Sequence, residues 1–351
     1  MVKIGWHGAF LVAVLTAAWH FIDFHEFARA LTSVHWPWVA LVMGLSTFDR
    51  FLMAGKWLQL LRYVHSTATF RAVLGAYYQV AFLERFIPST LSGDALRGTL
   101  ICKRFQGTNG VLATMVVEKL VAMVAATVLA LFGLGLLLTQ RYGLEQWWLF
   151  ALVPALLLAA VAGLAMSMHR PLAAWLIRLL PKRVQPMLTG IYVHYSSFRE
   201  APRMLGWHFL YCIVEQVVQV LMWLGAALAI GVETPVIILF AALSVAQCVR
   251  KFAMLLDGWL LGEFSMVAIT SLFGVPQTQA FTFSILAHAC VVVASLPGAF
   301  LFSSSALRLA EIRPAQPAST VSRDAVPSGV RNSRGRPRVI YLPAPAPGPS
   351  R

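Results

Sequence analysis

Residues 264–307 run for 44 positions without a single Asp, Glu, Lys or Arg. No water-facing surface can be built from such a stretch, whereas a bilayer core about 30 Å thick is crossed by roughly 20 apolar residues in a helix. The run is interrupted by Gly274-Val275-Pro276-Gln277, so it reads as two spans joined by a tight turn. Residues 120–138 and 149–168 are likewise free of charge. Within lipid every backbone polar group must be satisfied by the chain itself, which leaves helices or closed barrels. Continuous apolar runs of this length, unlike the short alternating strands of a barrel, specify helices. Composition agrees: 59% of the residues are hydrophobic and 12% charged, against about a quarter charged in an ordinary globular domain. The fold expected is an all-α, polytopic transmembrane bundle.

Charge placement sets the expected orientation. The formal net charge is +14, but the basic residues lie between apolar runs rather than on one soluble face, so nucleic acid is not an expected partner. Residues 169–202 carry Arg170, Arg178, Lys182, Arg183 and Arg199. Lys56, Arg62 and Arg71 follow the second run, and eight arginines lie from Ser303 onward. The alternate connections hold only Arg29 and Arg141. Cytoplasmic loops carry the excess of Lys and Arg, so the basic set and both termini are expected in the cytoplasm of a multi-pass protein of the cell inner membrane. Spans are expected at about 4–22, 36–56, 110–138, 146–168, 205–230 and 235–249, then a broken stretch to 262 and a final pair. Residues 72–91 read as a re-entrant segment, because Arg97, Lys103 and Arg104 follow directly and belong on the cytoplasmic side. The total is about seven to nine membrane segments, organised as a transmembrane domain over 1–302.

Two further stretches differ in kind. Within 169–202, Trp175, Leu176, Leu179 and Leu180 alternate with basic residues, an amphipathic pattern suited to an anionic lipid surface. From Arg313 eleven prolines and glycines occur among arginines, a composition that buries no core. Residues 303–351 are therefore expected to be a disordered basic tail. The four cysteines, Cys102, Cys212, Cys248 and Cys290, are widely spaced and form no C-x-x-C pair.

Function is sought in the polar interruptions, since ionisable residues and broken helices at membrane depth mark the places where substrates are handled. Residues 82–98 read FLERFIPSTLSGDALRG. Pro88 ends the preceding helix because it lacks a donor and clashes with the turn before it. Ser89, Thr90 and Ser92 then supply caps for a new helix through Gly93 and Asp94. A helix start inside a cavity suits an anion, and Arg97, one turn on, adds a guanidinium that fits a phosphate. Asp94 repels an anion and so is expected to orient Arg97 or to meet a cationic group of a lipid headgroup. Glu118 and Lys119 lie well inside a later helix, Glu118 facing a cavity and Lys119 reaching back toward the surface. Glu215 sits in another span beside Gln216 and Gln219. Asp49 and Arg50 read as a pair within the bundle. A second break, Asp257-Gly258-Trp259-Leu260-Leu261-Gly262-Glu263, repeats the pattern of glycine, acid and helix. Glu118 follows Asp94 by 24 residues and His288 follows Glu263 by 25, which points to an internal repeat.

Residues 88–97 resemble the P-x-x-x-G-G-D-x-x-R signature of the lysylphosphatidylglycerol synthase transmembrane region, also called the flippase-like membrane family. Lys56-Trp57-Leu58-Gln59-Leu60-Leu61 is similar to the basic-Trp-x-x-Leu that closes that family's second helix. The segment from Gly258 to Glu263 resembles its C-terminal G-x-G-x-R-E. The departures are Ser92 for the first glycine of G-G-D, and Leu260 and Gly262 for the second glycine and the arginine. The resemblance implies lipid handling without synthesis, because 303–351 stand where the aminoacyl-transferase domain of the best-known members would be. A non-enzymatic lipid flippase or lipid-binding transporter is therefore expected. The alternatives are a membrane-embedded lipid-modifying enzyme and an accessory subunit of a lipid or cell-envelope biosynthesis complex. Substrate-binding residues are expected among Pro88, Ser89, Ser92, Gly93, Asp94, Arg97, Glu118, Glu215, Gly258 and Glu263. No catalytic residue, cofactor or metal is expected. The partner is a membrane lipid, anionic or of the polyprenyl-phosphate type, with a homo-oligomer or a lipid-biosynthesis partner left open.

Overall fold

The computed structural model describes residues 34–64, 67–83, 90–105, 108–139, 148–255 and 259–299. All of them lie within Met1–Ala306, the first of two units into which the chain divides. The expected first span (4–22) and the tail (303–351) fall outside the described residues. So do Pro88, Ser89, Asp257 and Gly258, while Ser92 and Glu263 are described in their backbone alone.

Eleven α-helices and one 3-10 turn make up the described residues, and the bundle is all-α. They are α1 (Trp36–Val64), α2 (Phe70–Leu83), α3 (Thr90–Phe105), α4 (Thr108–Thr139), α5 (Leu149–Met168), α6 (Arg170–Leu179), α7 (Gln185–Ser197), α8 (Pro202–Ala229), α9 (Val236–Leu255), α10 (Trp259–Leu272) and α11 (Gln277–Ser295). Five of them, α1, α4, α8, α9 and α11, are long and apolar enough to cross a membrane, and α5 is a shorter apolar helix.

Antiparallel packing of α1 on α4 and α8 frames the bundle. Trp57 Nε1 donates to Thr114 Oγ1 at 2.9 Å, which aligns the last turns of α1 with the first turns of α4. At the same end Tyr63 OH donates to the Ser197 carbonyl and Gln59 to the Met204 carbonyl. At the opposite end His35 N–H meets the Ala229 carbonyl at 2.8 Å. The end carrying Val64, Thr108 and Pro202 is called the linker end below. Both α2 and α3 connect to it, α2 from α1 and α3 into α4. At 14 and 16 residues they extend only about 21–24 Å and return to the end they left. The two helices pack against each other. The returning arm, however, runs on through Arg97, which is buried inside it and does not follow the segment at the surface as the sequence reading expects. The connection at 84–89 falls outside the described residues.

The 44-residue charge-free run is not two full spans. Its first part lies in α10, whose 14 residues fall short of a crossing and turn back along α9. The turn itself is as expected: Gly274 has φ of 86°, and Val275 N–H reaches the Thr270 carbonyl. Gly231 closes α8 in the same way, with φ of 75° and Val232 N–H on the Ala227 carbonyl. These are Schellman caps, in which a left-handed residue lets orphan carbonyls of the last turn be paired. Helix α1 also differs from expectation. It runs on past Lys56 to Val64, so Lys56 lies two turns inside the helix rather than at its flank.

Three apolar clusters hold the bundle, and α1 and α4 contribute to all of them. Close approach is needed where α4 meets α9: a Cβ on Gly133 would lie 3.0 Å from the Ala241 Cα. The buried charged residues Asp49, Lys56, Arg97, Glu118 and Glu215 lie on α1, α3, α4 and α8.

Candidate functional site

A connected file of polar side chains runs inside the bundle, built from α1, α2, α3, α4, α8 and α9. Helix α3 presents Asp94 and Arg97 one turn apart, with Arg97 Nη2 3.1 Å from Asp94 Oδ1. The same nitrogen lies 3.1 Å from Glu118 Oε2 on α4. The guanidinium lies against two aromatic rings set edge to face, 4.6 Å from the Trp57 ring centre and 4.7 Å from that of Tyr77. These are cation–π contacts that hold the cation beside both rings. The Tyr77 hydroxyl accepts from Arg97 and donates to Glu118 Oε1 at 3.0 Å.

Lys56 is the centre of the file. Its ammonium pairs with Glu215 on α8 and lies 3.2 Å from Glu118 Oε1, so a single cation is shared between two carboxylates from different helices. Beyond Glu215, Gln219 donates to Glu215 Oε1 at 3.1 Å and to Asp49 Oδ1 at 3.4 Å. Gln247 on α9 donates to Gln219 at 3.0 Å, and Arg250 Nε donates to Gln247 at 2.7 Å. Arg250 lies over the Trp223 ring, which also meets His288 edge-on. Lys251 stands 3.8 Å from Glu215 Oε1. Gln216, next to Glu215, is fully buried with neither amide atom hydrogen-bonded.

Exposure along this file is graded. The side chains of Glu215, Lys56, Glu118 and Arg97 are 1–7% exposed. At one end Asp94, paired with Lys119, rises to 26% and Lys119 to 35%. At the other end Lys251 is 19% exposed. Depth follows from helix rise: Glu118 lies ten residues into α4 and Lys56 eight from the end of α1, or about 15 and 12 Å from the linker end. These charges therefore lie two to three turns inside the helices, within the packed bundle and not at its end. Taking charges from water costs several kcal/mol per ion, offset only by close pairing. The arrangement accordingly leaves each carboxylate with two or more partners.

Four of the residues named from the sequence, Asp94, Arg97, Glu118 and Glu215, come together here. Gly93 is buried on α3 beside them in sequence. Asp94 does orient Arg97. Glu118 faces a ring of paired side chains, and Lys119 reaches Asp94. Lys56, Tyr77 and Trp57 are members of the site that the sequence reading does not include. That reading places Lys56 on the basic cytoplasmic flank, although Asp49 and Lys56, seven apart, fall on one helical stripe and carry the signal.

These features define a polytopic helical membrane protein with a buried ion-pair file. The sequence model of the lysylphosphatidylglycerol synthase TM region matches residues 6–298, and the chain belongs to that family. Neither a curated protein nor a solved structure matches it. Membership connects the chain to lipid-related processes in a membrane.

Proposed function

We propose that this protein moves a polar-headed lipid between the leaflets of a cell inner membrane, without changing it chemically, with both termini in the cytoplasm. The observation that carries the reading is the file of paired charges through the bundle, buried in the middle and accessible at Asp94–Lys119. A lipid headgroup cannot cross hydrocarbon alone for the same reason that an ion cannot. A row of charged and amide groups, each able to exchange a protein partner for a headgroup oxygen or nitrogen, lowers that cost stepwise. Arg97 is the first anchor for a phosphate, because it lies beside the accessible Asp94–Lys119 end and a headgroup oxygen can replace one of its two carboxylate partners. The unpaired amide of Gln216 offers a further polar contact deeper in. Family membership supports the lipid as substrate class, whether anionic or of the polyprenyl-phosphate type.

The test uses the purified full-length protein in proteoliposomes holding a fluorescent phosphatidylglycerol. The lipid is expected to change leaflet with its mass unaltered. Arg97→Lys keeps the charge but loses the planar fork, and is expected to slow the movement at least tenfold. A product of altered mass, absent when Asp94→Asn is used, would replace transport by catalysis. Movement unchanged in Arg97→Lys, Asp94→Asn and Glu118→Gln alike would remove the file from the transport path.

A further inference from the structure

Helix α6 is not part of the bundle's spanning set, yet it carries a large uncovered apolar face. It begins two residues after α5, but the backbone breaks helix at His169, with φ of −81° and ψ of 105°, and Pro171 opens the new helix. Without that break α5 and α6 would be one rod. Leu180, extended at ψ of 160°, and Pro181 end it after ten residues.

At 100° per residue the helix divides into three faces. Ala173 is buried and Ile177 half-buried, and these form the side turned to the protein, where α6 packs against α5 and α7. Leu172, Trp175, Leu176 and Leu179 occupy an arc of about 100°, and of these Trp175, Leu176 and Leu179 are 56%, 49% and 65% exposed in the folded chain. Arg178 flanks that arc, exposed, and Lys182 and Arg183 follow it, also exposed. Between residues 146 and 199 there is no Asp or Glu. A water-facing position would leave the tryptophan and leucines exposed for no gain. A position across the bilayer would bury the cations, and ten residues do not reach.

We infer that α6 is an interfacial anchor, its apolar arc sunk into the membrane surface at the linker end and its basic flank paired with anionic lipid headgroups. The occupant of this face is the anionic leaflet itself, chosen by the basic charge and by its place directly after a membrane helix. The anchor has a mechanical connection to the ion-pair file. The linker continues into α7 and the turn after it, whose Tyr195 and Phe198 are buried with Leu60, Ala113, Val117 and Cys212, on the helices that carry Lys56, Glu118 and Glu215. Anionic lipid thus holds down the segment that closes the linker end of those helices. The inference stands whether or not the protein transports lipid.

A ten-residue helix is marginal in water without packing, so its amide exchange reports what covers it. Hydrogen–deuterium exchange of the full-length protein is compared in nanodiscs of phosphatidylcholine alone and of phosphatidylcholine with phosphatidylglycerol. Each basic residue near an anionic surface strengthens binding roughly fivefold, or on the order of a hundredfold for Arg178, Lys182 and Arg183 together. Peptides spanning 170–183 are therefore expected to exchange at least tenfold more slowly in the anionic discs, while α8 peptides stay unchanged. The triple variant Arg178→Gln, Lys182→Gln, Arg183→Gln is expected to lose that difference, and Trp175→Ser with Leu179→Ser to speed exchange in both discs. Equal exchange of the wild type in the two discs overturns the inference, whether fast, from an uncovered face, or slow, from a cover indifferent to charge. A full lipid difference surviving in the triple variant overturns it as well.

Discussion

Replacing Lys56 by Met tests whether the buried file is organised as the geometry indicates. The substitution keeps an unbranched side chain of similar length and removes only the ammonium. Two carboxylates lose a partner, but unequally. Glu118 retains Arg97 at 3.1 Å and the Tyr77 hydroxyl at 3.0 Å. Glu215 retains the neutral Gln219 at 3.1 Å and a lysine no closer than 3.8 Å. The cost therefore concentrates on Glu215, and removing one member of a buried pair costs about 3–5 kcal/mol. Glu215→Gln in the same chain keeps the shape and the contact with Gln219 but removes the stranded charge. The double variant is expected to regain about 2 kcal/mol or more relative to Lys56→Met, a coupling in the range of directly interacting residues. The assay is denaturant unfolding in detergent micelles followed by tryptophan fluorescence, across the wild type, both single variants and the double. A Lys56→Met protein within about 0.5 kcal/mol of the wild type, or a double variant at the sum of the two singles, would refute the reasoning.

Gly133→Leu is expected to destabilise by about 1–3 kcal/mol in the same assay, because α9 backbone at Ala241 occupies the space its side chain needs. Cysteine placed at Gln106, between α3 and α4, is expected to react with an impermeant thiol reagent only from the cytoplasmic side of oriented vesicles. One at Tyr142, beyond the far end of α4, is expected to react only from the other side, and the reverse pattern would invert the proposed orientation. Deleting 313–351 is expected to leave detergent stability and lipid movement within twofold of the full chain, since that composition has no core to contribute; loss of movement in a stable truncated protein would assign the tail a role.

The pair Asp94–Arg97 is legible in the amino-acid sequence, since residues three apart on a helix face each other and the Pro88 break supplies the helix start. The positive-inside argument counts Arg97 with Lys103 and Arg104 as a flanking charge, whereas Arg97 is buried among Asp94, Glu118 and Tyr77, the last two outside any local window. Lys56 is not legible either. A lysine after an apolar run reads as a flank, and only the continuation of α1 to Val64 places it two turns inside. Where a membrane helix ends is decided by what it packs against, and the last turns of α1 are buried through Trp57, Leu60 and Leu61 on α2, α4 and α7, contacts that no local window contains. The length of α10 escapes a sequence reading for a related reason: absence of charge specifies burial or lipid exposure but not which, so a run of sufficient length counts as a crossing.

By itself the sequence determined that the chain lives in a bilayer, that its spanning elements are helices, and where two of its turns lie. Those conclusions rest on the cost of unpaired backbone groups in hydrocarbon and on glycine's freedom at positive φ, and both act locally. Tertiary structure alone decided that Asp49, Lys56, Arg97, Glu118 and Glu215, drawn from four helices, share one file. Their pairing energies fall off within a few ångströms, so they depend on helix depth and rotation, and those are set by the whole of the packed bundle.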